Sequence, residues 1–467
     1  MVKSNFLKRI FKKFSILVVL LLFIQCASVV TNVSRYREVE LDLRSHKFSA
    51  AVQNLKQQKE EKQYTKKDRL LYFLDLGISY YYAKQWQQSN SLLQDADDTI
   101  ENLYTKSASK LAGSFLLNDN ILEYSGEDYE NIYVNIFKCI NYIKLDDFED
   151  AFVEVRKFNE KIEKMSLRYD NLITNLNKLK DVQKYDVKFQ KGEIKFHNSA
   201  IAKYLSLLMY RATGNYDDAN IDRKSIDNIW KTQPDIYDFP QPTALKTSLE
   251  KIEKPRLNLI SFTGLGPIKE DKGFRIATHE NHITVTGIDF QYKGRIYIDV
   301  EKGYYFKFSL PEIKKRKSQV HEVKVWVDGE IIGNLQTIES FSNVAKATFQ
   351  VKKPIIYLKT ILRTIMKGLT AQKQKENIDK ETDSSLLGAL ANVAIDMAVD
   401  ISENADLRCW RLMPDKCSIG EFSVPAGNHN ITIQYLDKNQ NVIYNDVRNN
   451  YHIKKGNLNL INSACLK

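Results

Sequence analysis

The sequence predicts an α+β protein: an all-α, repeat-like helical domain over residues 38–253, then a β-sandwich-like domain over 256–467 that carries a helical insertion. Three observations predict it. From Glu38 onward apolar residues recur at intervals of three and four, the spacing of one helix face. Around "EKPRLN", at Pro255, that spacing gives way to alternation, the period of a strand. Within the alternating half, residues from about 338 to 403 read as helix again.

The helical half repeats a motif in which an aromatic residue is followed by a small residue three on and an apolar residue four beyond that. It appears as Phe48/Ala51/Leu55, Trp86/Ser89/Leu93, Phe148/Ala151/Val155 and, shortened, Tyr216/Ala219. Each copy follows a short polar turn: "SHK", "KQ", "LDD" and "TGN". The second unit is the fullest. There Leu76-Gly77, Tyr80, Trp86, Ser89, Leu93 and Ala96 match the tetratricopeptide spacing. Two antiparallel helices approach closely only where small residues such as Gly77, Ser89 and Ala96 face each other, and the aromatic at the turn fills the wedge before the next pair. A helix pair cannot bury its face alone, so pairs stack. The irregular steps from Phe48 to Trp86, Phe148 and Tyr216 make this a degenerate array; the alternative is a helical bundle. Residues 157–195 read as one long helix and a polar connection.

In the second half, "VHEVKVWVDGEIIGNL" puts Val323, Val325 and Val327 on one face and Lys324 and Trp326 on the other, and Asp328-Gly329 is a hairpin turn. "HITVTGIDF", "RIYIDV" and "YYFKFSL" are further strands, and "GNHNITIQYLDKNQNVIYNDV" is a closing hairpin. In the insertion, "PIIYLKTILRTIMKGL" gathers Ile355, Leu358, Ile361, Leu362, Ile365 and Leu369 on one face, with Lys359, Arg363 and Lys367 on another. A basic amphipathic helix of this kind can lie on a membrane surface; the alternative is a helical hairpin capping the sandwich with its cations in solvent. "SLLGALANVAIDMAVDI" reads as the second helix of that insertion.

Residues 1–25 read as a lipoprotein signal peptide, with Cys26 as the lipidated residue and 26–37 as a tether. Lys3, Lys8, Arg9, Lys12 and Lys13 precede a ten-residue apolar run, 15–24, that is too short to span a bilayer. Gln25 is bulkier than the small residue usual before such a cysteine, which requires a signal peptidase with a relaxed preference. Ala27 follows where an Asp would favour inner-membrane retention in some bacteria, so the expected address is the outer membrane, at its periplasmic face or the cell surface. Removal of the leader takes five cations from a formal charge of +11 and leaves 64 basic against 58 acidic residues. That mild excess, in an exported chain, argues against nucleic acid as a partner. Cys409 and Cys417 could close a short disulfide loop in an oxidising compartment, or stand as two thiols. Cys139 reads as a small core residue.

Two segments resemble a family of uncharacterised bacterial lipoproteins with tetratricopeptide-like helices. In residues 124–162 the resemblance rests on Gly126, Glu127 and Glu130, on Asn141-Tyr142, and on Val153, Glu154 and Arg156. Near the C-terminus it rests on Asp406, Arg408, Trp410 and Pro414, with Met413 where Leu is usual. The resemblance implies export, a lipid anchor, and cell-envelope proteins as partners, among them the machinery of peptidoglycan synthesis.

Motifs of catalysis are sparse. Gly264 and Gly266 in "FTGLGP" lack the Lys-Ser/Thr of a phosphate loop and read as a turn. His279 and His282 in "HENH" have the wrong register for a zinc helix. Glu154 and Arg156 are two apart on a helix and do not face each other; each is expected to cap or pair with a neighbouring helix. The expectation is therefore no catalytic, cofactor-binding or metal-binding residue. The chain is expected to be a lipid-anchored, non-catalytic scaffold or assembly factor that binds envelope proteins. The alternatives are a hydrolase or transferase acting on cell-wall material, and a membrane-surface sensor using residues 354–369.

Overall fold

The computed structural model describes residues 33–114, 117–185, 187–250, 252–277, 282–285, 294–297, 305–381, 404–456 and 458–467. The leader, Cys26, most of the tether, and the "SLLGALANVAIDMAVDI" helix lie outside the described residues. The chain is α+β, with helices first and sheets after them.

Four helix pairs make up the first half: α1 (Tyr36–Arg44) with α2 (Phe48–Glu60), α3 (Arg69–Tyr82) with α4 (Trp86–Ser114), α5 (Asp128–Lys144) with α6 (Phe148–Asn177), and, after short α7 (Lys180–Gln183), α8 (Ala200–Ala212) with α9 (Tyr216–Thr232). The motif aromatics Phe48, Trp86, Phe148 and Tyr216 are each the first residue of the second helix. Two residues earlier the backbone turns left-handed, at His46, Lys84, Asp146 and Gly214. The next N–H then reaches back five residues, Lys47 to Asp42, Gln85 to Tyr80, Asp147 to Tyr142 and Asn215 to Tyr210. That bond satisfies a carbonyl left open at the helix end. One turn device is thus used four times.

The small residues sit where close approach demands them. Ala51, Ala151 and Ala219 are fully buried. Ser89 donates its hydroxyl to the Gly77 carbonyl at 2.9 Å, and a Cβ on Gly77 would stand 2.9 Å from Leu93 Cδ2. Tyr80 is buried, and Phe48, Trp86 and Phe148 pack half-buried against the core. Tyr216 departs from the expected wedge. It is 51% exposed, because α9 is the last helix before the sheets and no further pair stacks on it.

The second half holds two four-stranded sheets, ordered β12-β1-β9-β8 and β11-β10-β6-β7. Their strands are β1 (Arg256–Leu265), β6 (Glu322–Val327), β7 (Glu330–Asn334), β8 (Gln336–Ser340), β9 (Pro414–Ser423), β10 (Gly427–Leu436), β11 (Val442–Ile453) and β12 (Asn459–Cys465); β2 (Ile268–Ala277) pairs with β5 (Tyr305–Lys314), and β3 (His282–Val285) with β4 (Gly294–Tyr297). Leu257, Leu259, Ile461 and Cys465 of the first sheet meet Val323, Val325, Ile431, Ile433 and Tyr435 of the second. Asp328 and Gly329 both take positive φ, as the hairpin turn requires.

The opposite face of the first sheet is not solvent-facing. Ile260, Phe262, Cys417, Ile419 and Leu460 belong to the same apolar core as helices α1–α6, α8 and α9, a cluster running from Tyr36 to Leu466. Tyr81 stands edge-on to Phe262 with centroids 5.8 Å apart, and Tyr82 donates to the Leu412 carbonyl. Helix gives way to strand at Arg256, but packing does not divide there. Of the stretch "FTGLGP", Phe262–Leu265 complete β1, and only Gly266 and Pro267 form the expected turn, the link to β2.

The insertion begins close to the expected point, as one long helix, α10 (Phe341–Glu381), between β8 and β9, which pair with each other. Pro354 lies inside it rather than at its start. Proline has no N–H for the Gln350 carbonyl, and the α7–α8 connection crosses at this point, with Gly192 donating to the Val351 carbonyl at 2.7 Å. A Cβ on Gly192 would lie 2.2 Å from the Gln350 oxygen, so only glycine fits. That connection is less polar in use than in composition, since Val182, Tyr185, Val187 and Phe189 are buried against α10.

Candidate functional site

The two segments that carry the family resemblance meet in one buried ionic cluster between the helices and the sheets. Gly126, at φ 85°, turns the chain into α5. Glu130, on the first turn of that helix, accepts from the Glu127 N–H at 3.0 Å and from the Tyr124 hydroxyl at 2.7 Å. Its other oxygen accepts the Trp410 N–H at 2.6 Å. Glu127 is gripped by Lys269 of β2 at 2.5 Å and by Lys352 of α10. Arg408 donates from Nε and Nη2 to the two carboxylate oxygens of Asp406, at 2.9 and 2.8 Å. It then donates to the carbonyls of Asp119 at 2.8 Å and Leu122 at 3.1 Å, with Asp68 at 3.5 Å.

The electrostatics follow from that pairing. Burial raises the Glu130 carboxyl well above its ordinary value, and the neighbouring Glu127 charge adds to it. Burial also works against Glu127, but Lys269 and Lys352 outweigh it and hold that carboxyl low. At Asp406 the Arg408 guanidinium overcomes burial and holds the carboxyl at about 2. Buried charges are tolerated when paired and hydrogen-bonded; Glu127 and Asp406 have cationic partners, whereas Glu130 has hydrogen-bond donors alone. The arrangement clamps α5, β2, α10 and the 404–412 segment together.

Two further buried carboxylates tie distant elements. Glu339 of β8 accepts from the hydroxyls of Tyr133 at 2.6 Å, Ser199 at 2.9 Å and Tyr237 at 2.8 Å, and from the N–H groups of Ala200 and Ile201 at 3.0 and 3.2 Å. Asp75 of α3 accepts from Tyr36 at 3.0 Å and Tyr64 at 2.8 Å, with the Arg35 guanidinium stacked 4.1 Å over the Tyr64 ring. Burial pushes Asp75 up to about 7, against the pull of Arg35 and the two hydroxyls. The unfolded chain releases this proton near pH 4, so the folded state binds more protons between there and pH 7. This contribution to stability therefore falls as pH rises through that window and is flat above it, by at most roughly 4 kcal/mol. Asp75→Asn is expected to flatten the pH dependence of the urea midpoint between pH 5 and 7 relative to wild type; parallel profiles would refute the assignment.

The sequence-predicted residues fall out as follows. Glu154 pairs with the fully buried Lys138 of α5 at 2.8 Å and accepts from Asn135 at 2.6 Å, whereas Arg156 is exposed. Of the two alternatives for Cys409 and Cys417, the structure has two separate buried thiols. Cys409 points at the Pro267 carbonyl, while Cys417 lies in β9 opposite Phe262. Burial pushes the Cys409 thiol up to about 11. The basic face of the insertion helix is not in solvent. Lys359 pairs with Asp119 at 2.7 Å, and Arg363 is 2% exposed and donates to the Leu117 carbonyl. The apolar face packs on Met165, Tyr169 and Leu176 of α6. His279 lies outside the described residues, and His282 opens β3. No group of metal-ligating side chains occurs among the described residues, and no helix among them is long and apolar enough to cross a membrane.

Sequence reading missed Lys269, Lys352, Asp119 and Glu339. Each is an ordinary surface type in an ordinary position, and only the fold brings them to their partners. No protein-family model matches the chain, nor does any curated protein or solved structure.

Proposed function

We propose that this is a lipid-anchored cell-envelope protein that works without catalysis, as a scaffold or assembly factor binding other envelope proteins. The helices read as a tetratricopeptide-like array that has closed its inner face on the chain's own sheet. Supporting this are the four identical turns and the burial of nearly all of α3, α5 and α8. The ionic clamp supports a structural use of the residues that carry the family resemblance.

A single observation carries the binding role. On the outer face of the second sheet, Val447, Thr432, Trp326 and Ile331 stand directly across from one another on β11, β10, β6 and β7. Val447 and Ile331 are 50% and 52% exposed. An apolar row centred on a tryptophan is the composition of a protein-binding surface. Protein purified with its own lipid from detergent-solubilised envelopes is expected to retain specific envelope proteins that the Ile331→Asp/Val447→Asp variant loses. Equal recovery with both forms would reject this surface. Mass spectrometry of the mature N-terminus tests the anchor, with acylated Cys26 as the expected first residue.

A further inference from the structure

The buried cations of the clamp all face carboxylates. One group of cations elsewhere does not balance. It lies where the turn ends of the second and third helix pairs meet β12, the edge strand of the first sheet.

Lys144, the last residue of α5, donates to the Leu460 carbonyl at 2.9 Å. Arg448 of β11 donates to the Asn462 carbonyl at 3.3 Å. Those carbonyls are two residues apart on an extended strand, which places them about 7 Å from each other. Lys84 is the left-handed residue of the α3–α4 turn. Its ammonium is depressed by burial and by the Arg448 charge, and Lys144 is pushed down to about 8 by burial, then by Arg448 and Lys84. The α3–α4 turn is tied to the same strand, because Tyr81, three residues before Lys84, accepts from the Asn462 side-chain amide at 3.2 Å, so the three side chains share one locality.

Asp446 is the carboxylate among them, and it is committed: it accepts from Arg448 at 2.7 Å and from Ser463 at 2.6 Å. Asp147, in the adjoining turn, caps the Asp150 N–H at 3.1 Å. Three formal positive charges thus face one negative charge. Arg448 Nε is buried without a hydrogen-bond acceptor. The cluster is open to an incoming ligand, because Lys84 is exposed and the Arg448 side chain is 21% exposed.

We propose that Lys84, Lys144 and Arg448 form a binding site for a phosphate group, whose two negative charges match the two positive charges in excess. A guanidinium and two ammonium groups are suited to phosphate oxygens. The phosphate can be free or the headgroup of a lipid.

Calorimetric titration of the full chain in detergent, with inorganic phosphate and separately with dihexanoyl phosphatidic acid, tests the site. Saturable binding is expected at pH 7. Lys84→Gln, at an exposed turn position, should weaken it about tenfold with an unchanged melting curve, whereas Asp446→Asn should tighten it. Stronger binding of the phosphatidic acid than of phosphate, with the same response to both variants, assigns a lipid headgroup; equal binding assigns free phosphate. Absence of saturable heat with both probes, or binding indifferent to Lys84→Gln, overturns the proposal.

Discussion

Glu339→Ala is expected to destabilise the fold by about 4 kcal/mol or more, read as a fall in the urea midpoint. The side chain is fully buried and accepts five hydrogen bonds. Two of its donors are N–H groups at the first turn of α8, which have no intrahelical partner of their own. Removing the carboxylate strands the Ile201 N–H, leaves the Ala200 N–H only the Tyr237 hydroxyl, and takes a negative charge from the positive end of the helix. Glu339→Gln is the informative control. One oxygen can still serve the N–H groups, and the Tyr133 and Ser199 hydroxyls can rotate to accept from the new amide. The expected loss is therefore only about 1 kcal/mol. Equal losses in the two variants would show that volume, and not hydrogen bonding, is what Glu339 supplies.

Arg408→Lys is expected to cost about 3–5 kcal/mol, although the charge is kept. Lysine cannot reproduce the two parallel bonds to Asp406 while also reaching the carbonyls of Asp119 and Leu122. The Asp406 carboxyl, held at about 2 by the guanidinium, should also titrate higher. Its unfolded value lies above its folded one, so the stability it contributes is present above pH 4 and is lost as pH falls toward 2. The Arg408 variant should show less of this acid-side loss. A urea midpoint within error of wild type at pH 7 would show that the clamp is dispensable.

What the sequence shows plainly is local. The aromatic-x-x-small motif marks the start of four second helices because Phe48, Trp86, Phe148 and Tyr216 each follow a helix-ending turn. Alternation locates β6 because Val323, Val325 and Val327 face one core. Where a segment has two cores, the signal vanishes. Arg256–Leu265 is buried on both faces, so it shows no alternation and its end reads as a turn. Lys359 and Arg363 read as solvated because helical spacing separates faces without saying what covers each. The clamp was half legible: Glu127, Glu130, Asp406, Arg408 and Trp410 stand out by resemblance, but their shared location depends on packing across some 280 residues.

The pairing of β1 with β12 bears on how the chain is made. These strands lie parallel, Leu257 beside Asn459, so the first sheet cannot be completed until about 200 further residues have been synthesised. Until then β1, whose Phe262 packs on Tyr81 of α3 and Phe137 of α5, lacks a neighbour along one whole edge. Such non-local closure slows folding and leaves apolar surface open to wrong partners. The helical half is therefore expected to need shielding, by a chaperone or by delayed folding, for as long as its last strand is missing.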